Sequence, residues 1–308
     1  MVIFNSDAAL ERAFSQIGGA LEKSYRTALQ LCFRAIGTTP QNTSTLYIKE
    51  DSAPQWSDPV ATLPIDDARE LLNEKICILL EDSSNDWNFL QGIMMESERE
   101  KLLNAVSKGW AAPVHGGGSG LITQLEARLA CPKEGLRTFA IYDSDRLHPD
   151  ELQEGWDAKC LSGAKATCQA YYWEKVTKDK MPLRYWMLKR RFIESYMPED
   201  QLKDYCSSNF GRGLSDEVVQ IFFTELSDHQ RWYYNMKEGL SGDARRVDAE
   251  RNRSLYSDLG EDIREALNSG FGRSLATHYA KHQDVVFRWD DSAIEEALNA
   301  LPNLMRLI

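Results

Sequence analysis

The chain is short of several things, and each shortage closes off a class of protein. Its longest apolar runs, such as KICILL and FAIY, fall far below the roughly 20 residues that a membrane-spanning helix requires. The opening MVIFNSDAALERAF has no basic flank ahead of an apolar core, so no secretory leader is expected, and the protein is expected in the cytoplasm. Histidine is scarce, with five in 308 residues. His278 and His282 stand four apart with no cysteine or further histidine nearby, which argues against a structural zinc site. The six cysteines (Cys32, Cys77, Cys131, Cys160, Cys168 and Cys206) include no C-x-x-C pair and read as reduced thiols. No G-x-x-x-x-G-K-[ST] phosphate loop is present, so any ATP sensing would have to come from another subunit. Positive charge is also in deficit. Lys and Arg number 36 against 47 Asp and Glu, a net charge of −11, which argues against coating nucleic acid by bulk electrostatics. It leaves open an enzyme that holds cations with carboxylates.

What remains is ordinary globular composition, 43% hydrophobic and 27% charged. Residues 7–36 carry Leu10, Phe14, Ile17, Leu21, Tyr25, Leu29 and Phe33 at three- and four-residue steps, the period of an amphipathic helix. STLYIKED predicts a short strand, and a Pro- and Asp-rich connection follows. Strand and helix then alternate. KICILLE (75–81) is a buried strand, followed by a helical stretch that breaks near its middle, with Asp86 as a candidate cap. WAAPVHGGG is a second strand running into glycines, and SGLITQLEARLAC a helix opened by Ser119. RTFAIYDSD (137–145) is a third strand; residues 163–178 are helical, and LRYWMLKRR is a fourth strand. Alternation of this kind implies an α/β fold, a mostly parallel sheet with flanking helices. The expected division is an N-terminal helical segment and linker over 1–72, the α/β domain over 73–197, and a helical C-terminal region over 198–308.

Ligands in such sheets sit at the carboxyl ends of the strands. Three of those ends carry Glu81, the glycine turn 116–118, and the pair Asp143 and Asp145. Two like charges one residue apart at the end of a buried strand repel unless a cation offsets them. Hard oxygen ligands suit Mg²⁺ or Mn²⁺.

An acid leaving one strand and D-x-D leaving another, with helix–strand–helix between, resembles the TOPRIM domain shared by topoisomerases, primases and several nucleases. LLEDSSNDWNFL and LKRRFIESYMP resemble segments of small stand-alone TOPRIM nucleases related to the OLD family, found largely in bacterial anti-phage systems. The resemblance covers about residues 75–191. It implies a TOPRIM-like sheet and a metal-dependent nuclease with two ions, held by Asp143 and Asp145 on one side and by Glu81 with Asp86 or Asp82 on the other. It further implies catalytic roles for Glu81, Asp143, Asp145 and Lys237. Phosphate or substrate contacts are expected from Gly117, Gly118, Arg190 and Arg191, and a separate ABC-type ATPase is an expected partner. Asp82 stands where most such domains have glycine, and Asp86 lies one residue beyond the usual spacing. Arg190, Arg191 and Glu194 read equally well as an ion network joining the sheet to the C-terminal helices.

Other uses of D-x-D fit less well. A haloacid-dehalogenase-like phosphatase wants its aspartates after the first strand and a threonine or valine where Leu147 stands. A glycosyltransferase has no need of Glu81. An inert TOPRIM-like module that binds a partner ATPase or nucleic acid is the main alternative.

Overall fold

Two continuous apolar runs become the central strands of a parallel sheet in the computed structural model. That structure describes residues 60–158, 168–208, 215–244, 249–281 and 288–308, together with 45–49, 53–57 and the isolated positions 2–4, 11–12, 19 and 23. Strands β1 (Val2–Phe4), β2 (Thr45–Ile48) and β3 (Val60–Leu63) form one parallel three-stranded sheet. Strands β4 (Ile76–Leu80), β5 (Ala111–His115), β6 (Thr138–Tyr142) and β7 (Tyr185–Met187) form a second, all-parallel sheet in the order β5-β4-β6-β7.

Every residue of β4 and β6 is buried, as expected of strands covered on both faces. Alternate side chains enter different cores because the strand repeat is two. Ile76, Ile78, Leu80, Phe139 and Ile141 join the larger core with the helices that follow β4 and with the C-terminal helices. Cys77, Leu79, Ala140 and Tyr142 join a second core on the opposite face. Pro113 lies in β5, an edge strand, where a missing backbone donor is tolerated.

The first helix, α1 (Ile65–Asn73), packs with β2 and β3 in a third, small core. The helical stretch after β4 is broken as expected, into α2 (Asn85–Ile93) and α3 (Glu96–Ser107). The break is held by Arg99, whose guanidinium donates to the carbonyls of Gln91 and Met94. A 3-10 turn, Gly118–Gly120, precedes α4 (Leu121–Ala130), so the helix opens on glycine rather than on Ser119. Helices α5 (Pro132–Leu136) and α6 (Ala170–Lys180) complete the flanks. The part of the expected 163–178 helix before residue 168 lies outside the described residues, as does nearly all of the expected 7–36 helix. The N-terminal region is therefore more than a helical segment, because it supplies a sheet.

After β7 the described chain is helical: α7 (Glu199–Ser207), α8 (Asp216–Thr224), α9 (Asp228–Tyr233), α10 (Gly239–Asp243), α11 (Ala249–Leu255), α12 (Glu261–Ala266) and α13 (Asp291–Met305). Helix α13 is tied to the end of β7 through buried Glu296. Its carboxylate accepts from Trp186 Nε1, the Lys189 N–H and the Tyr196 hydroxyl, each at 2.8 Å. Among the described residues no helix is long and apolar enough to cross a membrane.

Candidate metal centre

Register places the acids. Leu80 of β4 is aligned with Ile141 of β6, and Tyr142 with Met187 of β7. Glu81 and Asp143 therefore leave neighbouring strands at the same rim. Glu81 Oε2 is buried without a protein hydrogen-bond partner. Burial, with the charges of Asp145 and Asp86, pushes the Glu81 carboxyl up to about 8, despite an opposing contribution from Lys237. Asp143 is also held well above the usual carboxylate range. Burial is the main cause, and Glu81, Glu194 and Asp86 add to it against Lys237. Asp143 keeps some accessible surface but is densely surrounded by protein, and the direction of its shift follows that crowding. Its Oδ1 accepts the Ile193 N–H at 2.9 Å.

Asp145 has φ +54°, the left-handed conformation, and is the only non-glycine with positive φ among the described residues. Aspartate tolerates this region better than most residues. Its N–H donates to the Arg191 carbonyl at 3.2 Å, which fixes the turn.

Asp82 and Asp86 differ in their hydrogen bonds. Asp82 Oδ1 accepts the N–H groups of Ser84 and Asn85, tying up its carboxylate in the turn that opens α2. Burial opposes its ionisation, but those N–H groups outweigh it and hold the group below the usual range. Asp86 is buried on the first turn of α2, and its Oδ2 accepts the Asp82 N–H at 2.9 Å. Burial, with the charges of Asp82 and Glu194, pushes Asp86 up to about 7 against that hydrogen bond. Asp86 thus interacts with Glu81 and Asp143, whereas Asp82 builds the turn.

Two further side chains complete the cluster. Glu194, 1% exposed, comes from the 3-10 turn Ile193–Tyr196, and its Oε2 is a second buried oxygen without a protein partner. Its Oε1 lies 3.4 Å from Lys237 Nζ. Burial disfavours the Lys237 ammonium, yet Glu194, Asp143, Glu81 and Asp145 outweigh it and raise its pKa. The ammonium also sits 4.4 Å from the centre of the Phe192 ring.

The glycine turn borders Glu81 through the backbone. Gly116 N–H donates to Leu80 and Gly117 N–H to Glu81. Gly117 (φ +72°) and Gly118 (φ +53°) are both left-handed. A Cβ at Gly116 would lie 2.9 Å from Leu121 Cβ and 3.0 Å from the Leu80 carbonyl oxygen, so glycine permits the close approach there.

Arg190 and Arg191 are placed differently from the expected substrate contacts. Both are buried, and the terminal guanidinium nitrogens of each are engaged by protein acceptors, while Arg191 Nε has no partner. Arg190 binds Asp290 and the Ser195 carbonyl. Arg191 binds both Asp243 oxygens, at 2.6 and 2.7 Å. A buried guanidinium requires such partners, and these turn both groups toward protein carboxylates and carbonyls. The aromatic segments AYYWEK and RWYYNM contribute chiefly to the cores, with Tyr171, Trp173, Tyr233 and Tyr234 buried.

The carboxylates of Glu81, Asp86, Asp143, Asp145 and Glu194 thus form one electrostatically interacting group with Lys237 beside it. Among the described residues, no three acidic, histidine or cysteine side chains form a ready-made ligand set as they stand. Two orphaned carboxylate oxygens and raised proton affinities are what a hard-cation site shows before its charge is offset, and the donors fit Mg²⁺ or Mn²⁺. Comparison with protein-family models, with curated proteins and with solved structures found no match.

Proposed function

We propose that this chain is a divalent-cation-dependent nuclease that hydrolyses phosphodiester bonds of DNA or RNA. The observation that carries the reading is that Glu81, Asp86, Asp143, Asp145 and Glu194, buried or half-buried near one sheet rim, act on one another electrostatically, with Glu81 Oε2 and Glu194 Oε2 unpartnered. Asp143 and Asp145 would hold one Mg²⁺ or Mn²⁺, and Glu81 with Asp86 a second, with Glu194 available to either. When bound, such ions supply charge stabilisation to the attacking and leaving oxygens of an in-line displacement.

The remaining work falls to the chain. Lys237 offers a cation beside developing phosphate charge, and the turn of Gly117 and Gly118 lets backbone approach a phosphate closely. The inward-turned arginines hold the rim rather than the substrate. The TOPRIM and OLD-like resemblance supports an effector role in anti-phage defence, acting with a separate ABC-type ATPase. An uncontrolled nuclease would be toxic, which is consistent with gating by such a partner.

One observation favours the second reading, an inert binding module. The Lys237–Glu194 ion pair partly offsets the acidic cluster without any metal. A cleavage assay separates the two. Wild type, Glu81→Gln and Asp143→Asn are incubated with plasmid, single-stranded DNA and total RNA, in Mg²⁺ or Mn²⁺. Cleavage by wild type, reduced at least ~100-fold in both variants, is the expected result, a scale typical of lost transition-state stabilisation. Equal cleavage by all three would overturn the site assignment, and cleavage by none would favour the inert module.

A further inference from the structure

We infer that Arg191 is a positioning residue that couples the Asp145 turn to the Lys237 turn. The inference deepens the reading above, on which only its catalytic meaning rests. Two sides of one residue make the connection. The Arg191 carbonyl accepts the Asp145 N–H at 3.2 Å, at the one left-handed non-glycine among the described residues. Its guanidinium, 1% exposed, grips Asp243, 2% exposed, through both oxygens and also donates to the Tyr233 carbonyl.

Asp243 passes the constraint on. Its Oδ1 also accepts the Asn235 amide at 3.1 Å, and Asn235 Oδ1 accepts the Glu238 N–H at 3.0 Å. The Asn235 carbonyl accepts the Gly239 N–H at 2.7 Å. Asn235 therefore fixes the turn that presents Lys237. A second link runs through Phe192. The Arg191 guanidinium lies 4.7 Å from its ring centre and Lys237 Nζ 4.4 Å from it.

Guanidinium chemistry suits this task. A planar fork can meet both oxygens of a carboxylate while its geometry stays fixed, whereas a lysine ammonium acts as a point charge. Arg191→Lys keeps the charge beside Asp243 but gives up the bidentate grip and the bond to Tyr233. The variant should fold with both turns loosened.

Hydrogen–deuterium exchange read by mass spectrometry tests this on the full chain without using cleavage. In Arg191→Lys, exchange in segments 143–146 and 236–240 should each accelerate at least tenfold, with strands β4 and β6 unchanged. Asn235→Ala should loosen only 236–240. Acetylation of Lys237 by a small acylating reagent should accelerate at least threefold in both variants. Loosening of one segment alone in Arg191→Lys, or of neither, would overturn the coupling. Equal loosening of both segments in Asn235→Ala would overturn it too, since that would mark general destabilisation. Should Arg191→Lys fail to fold, Asn235→Ala still decides, because unchanged exchange at 236–240 contradicts the relay. If wild type proves to have no nuclease activity, these readouts keep their meaning, so the two failures are separable.

Discussion

Lys237 Nζ stands 3.4 Å from Glu194 Oε1 while Glu194 Oε2 has no protein partner, so one cation answers only part of a deeply buried carboxylate. Removing one member of a fully buried pair costs about 3–5 kcal/mol. Lys237 is about one-third exposed (34%), which moderates the loss. Lys237→Met is expected to destabilise the metal-free protein by about 1–3 kcal/mol. Urea unfolding with and without Mg²⁺ measures it, and Mg²⁺ should recover much of the difference. A variant as stable as wild type without metal would show that the pair does not hold the site.

The turn that carries Lys237 is also held by backbone crossing. A Cβ on Gly270 would lie 2.5 Å from the Glu238 nitrogen and 2.6 Å from the Lys237 carbonyl carbon. Gly270→Ala should therefore cost about 2 kcal/mol or more, because two backbones must separate. Gly118→Ala meets nothing within 4 Å and bears only the left-handed backbone penalty, about 1 kcal/mol. Thermal unfolding of the two variants compares these costs directly, and an equal loss would contradict the crossing.

Glu296 anchors the last helix to the site strand. Its loss in Glu296→Ala leaves three donors, from Trp186, Lys189 and Tyr196, without their acceptor. The expected destabilisation is about 3 kcal/mol, and Glu296→Gln should recover part of it. Denaturant titration checks the order wild type, then Gln, then Ala.

The raised carboxylates predict a pH dependence. Glu81 at about 8 and Asp86 at about 7 bind protons in the folded, metal-free protein that the unfolded chain has released above 4.5 and 3.8. Asp143 acts in the same direction. Through Glu81 and Asp86, stability therefore falls as pH rises from about 4 to about 8, and those two contribute no further slope below or above that window. Calorimetric scans from pH 5 to pH 8.5 should show the fall without metal and a flatter profile with Mg²⁺. A metal-free profile that rises through this window would contradict the burial of the cluster.

The parts of this protein that were legible in the sequence are those with a local signature. Strands β4 and β6 are covered on both faces, so their apolar runs announced them, and Glu81, Asp143 and Asp145 stood at their ends. Strands β7 and β2 fall within LRYWMLKRR and STLYIKED, where strands were expected, whereas β1 and β3, of three and four residues, are too short to display a period. The arginines were ambiguous for a different reason. A basic pair at a strand end reads alike whether it meets phosphate or distant carboxylates. Here the carboxylates lie 100 positions from Arg190 and 52 from Arg191. Glu194 sat in the quoted motif, but only the fold separates it from the arginines and turns it toward Lys237.

Cation binding tests the central claim most directly. Manganese titration by isothermal calorimetry compares wild type with Glu81→Gln, Asp143→Asn and Asp82→Asn. The expected result is binding by wild type, affinity reduced at least ~10-fold in the first two variants, and wild-type affinity in Asp82→Asn, because that side chain builds a turn. No binding by the wild-type protein, or the same affinity in all four, would contradict the claim that acids from separate strands jointly hold a metal.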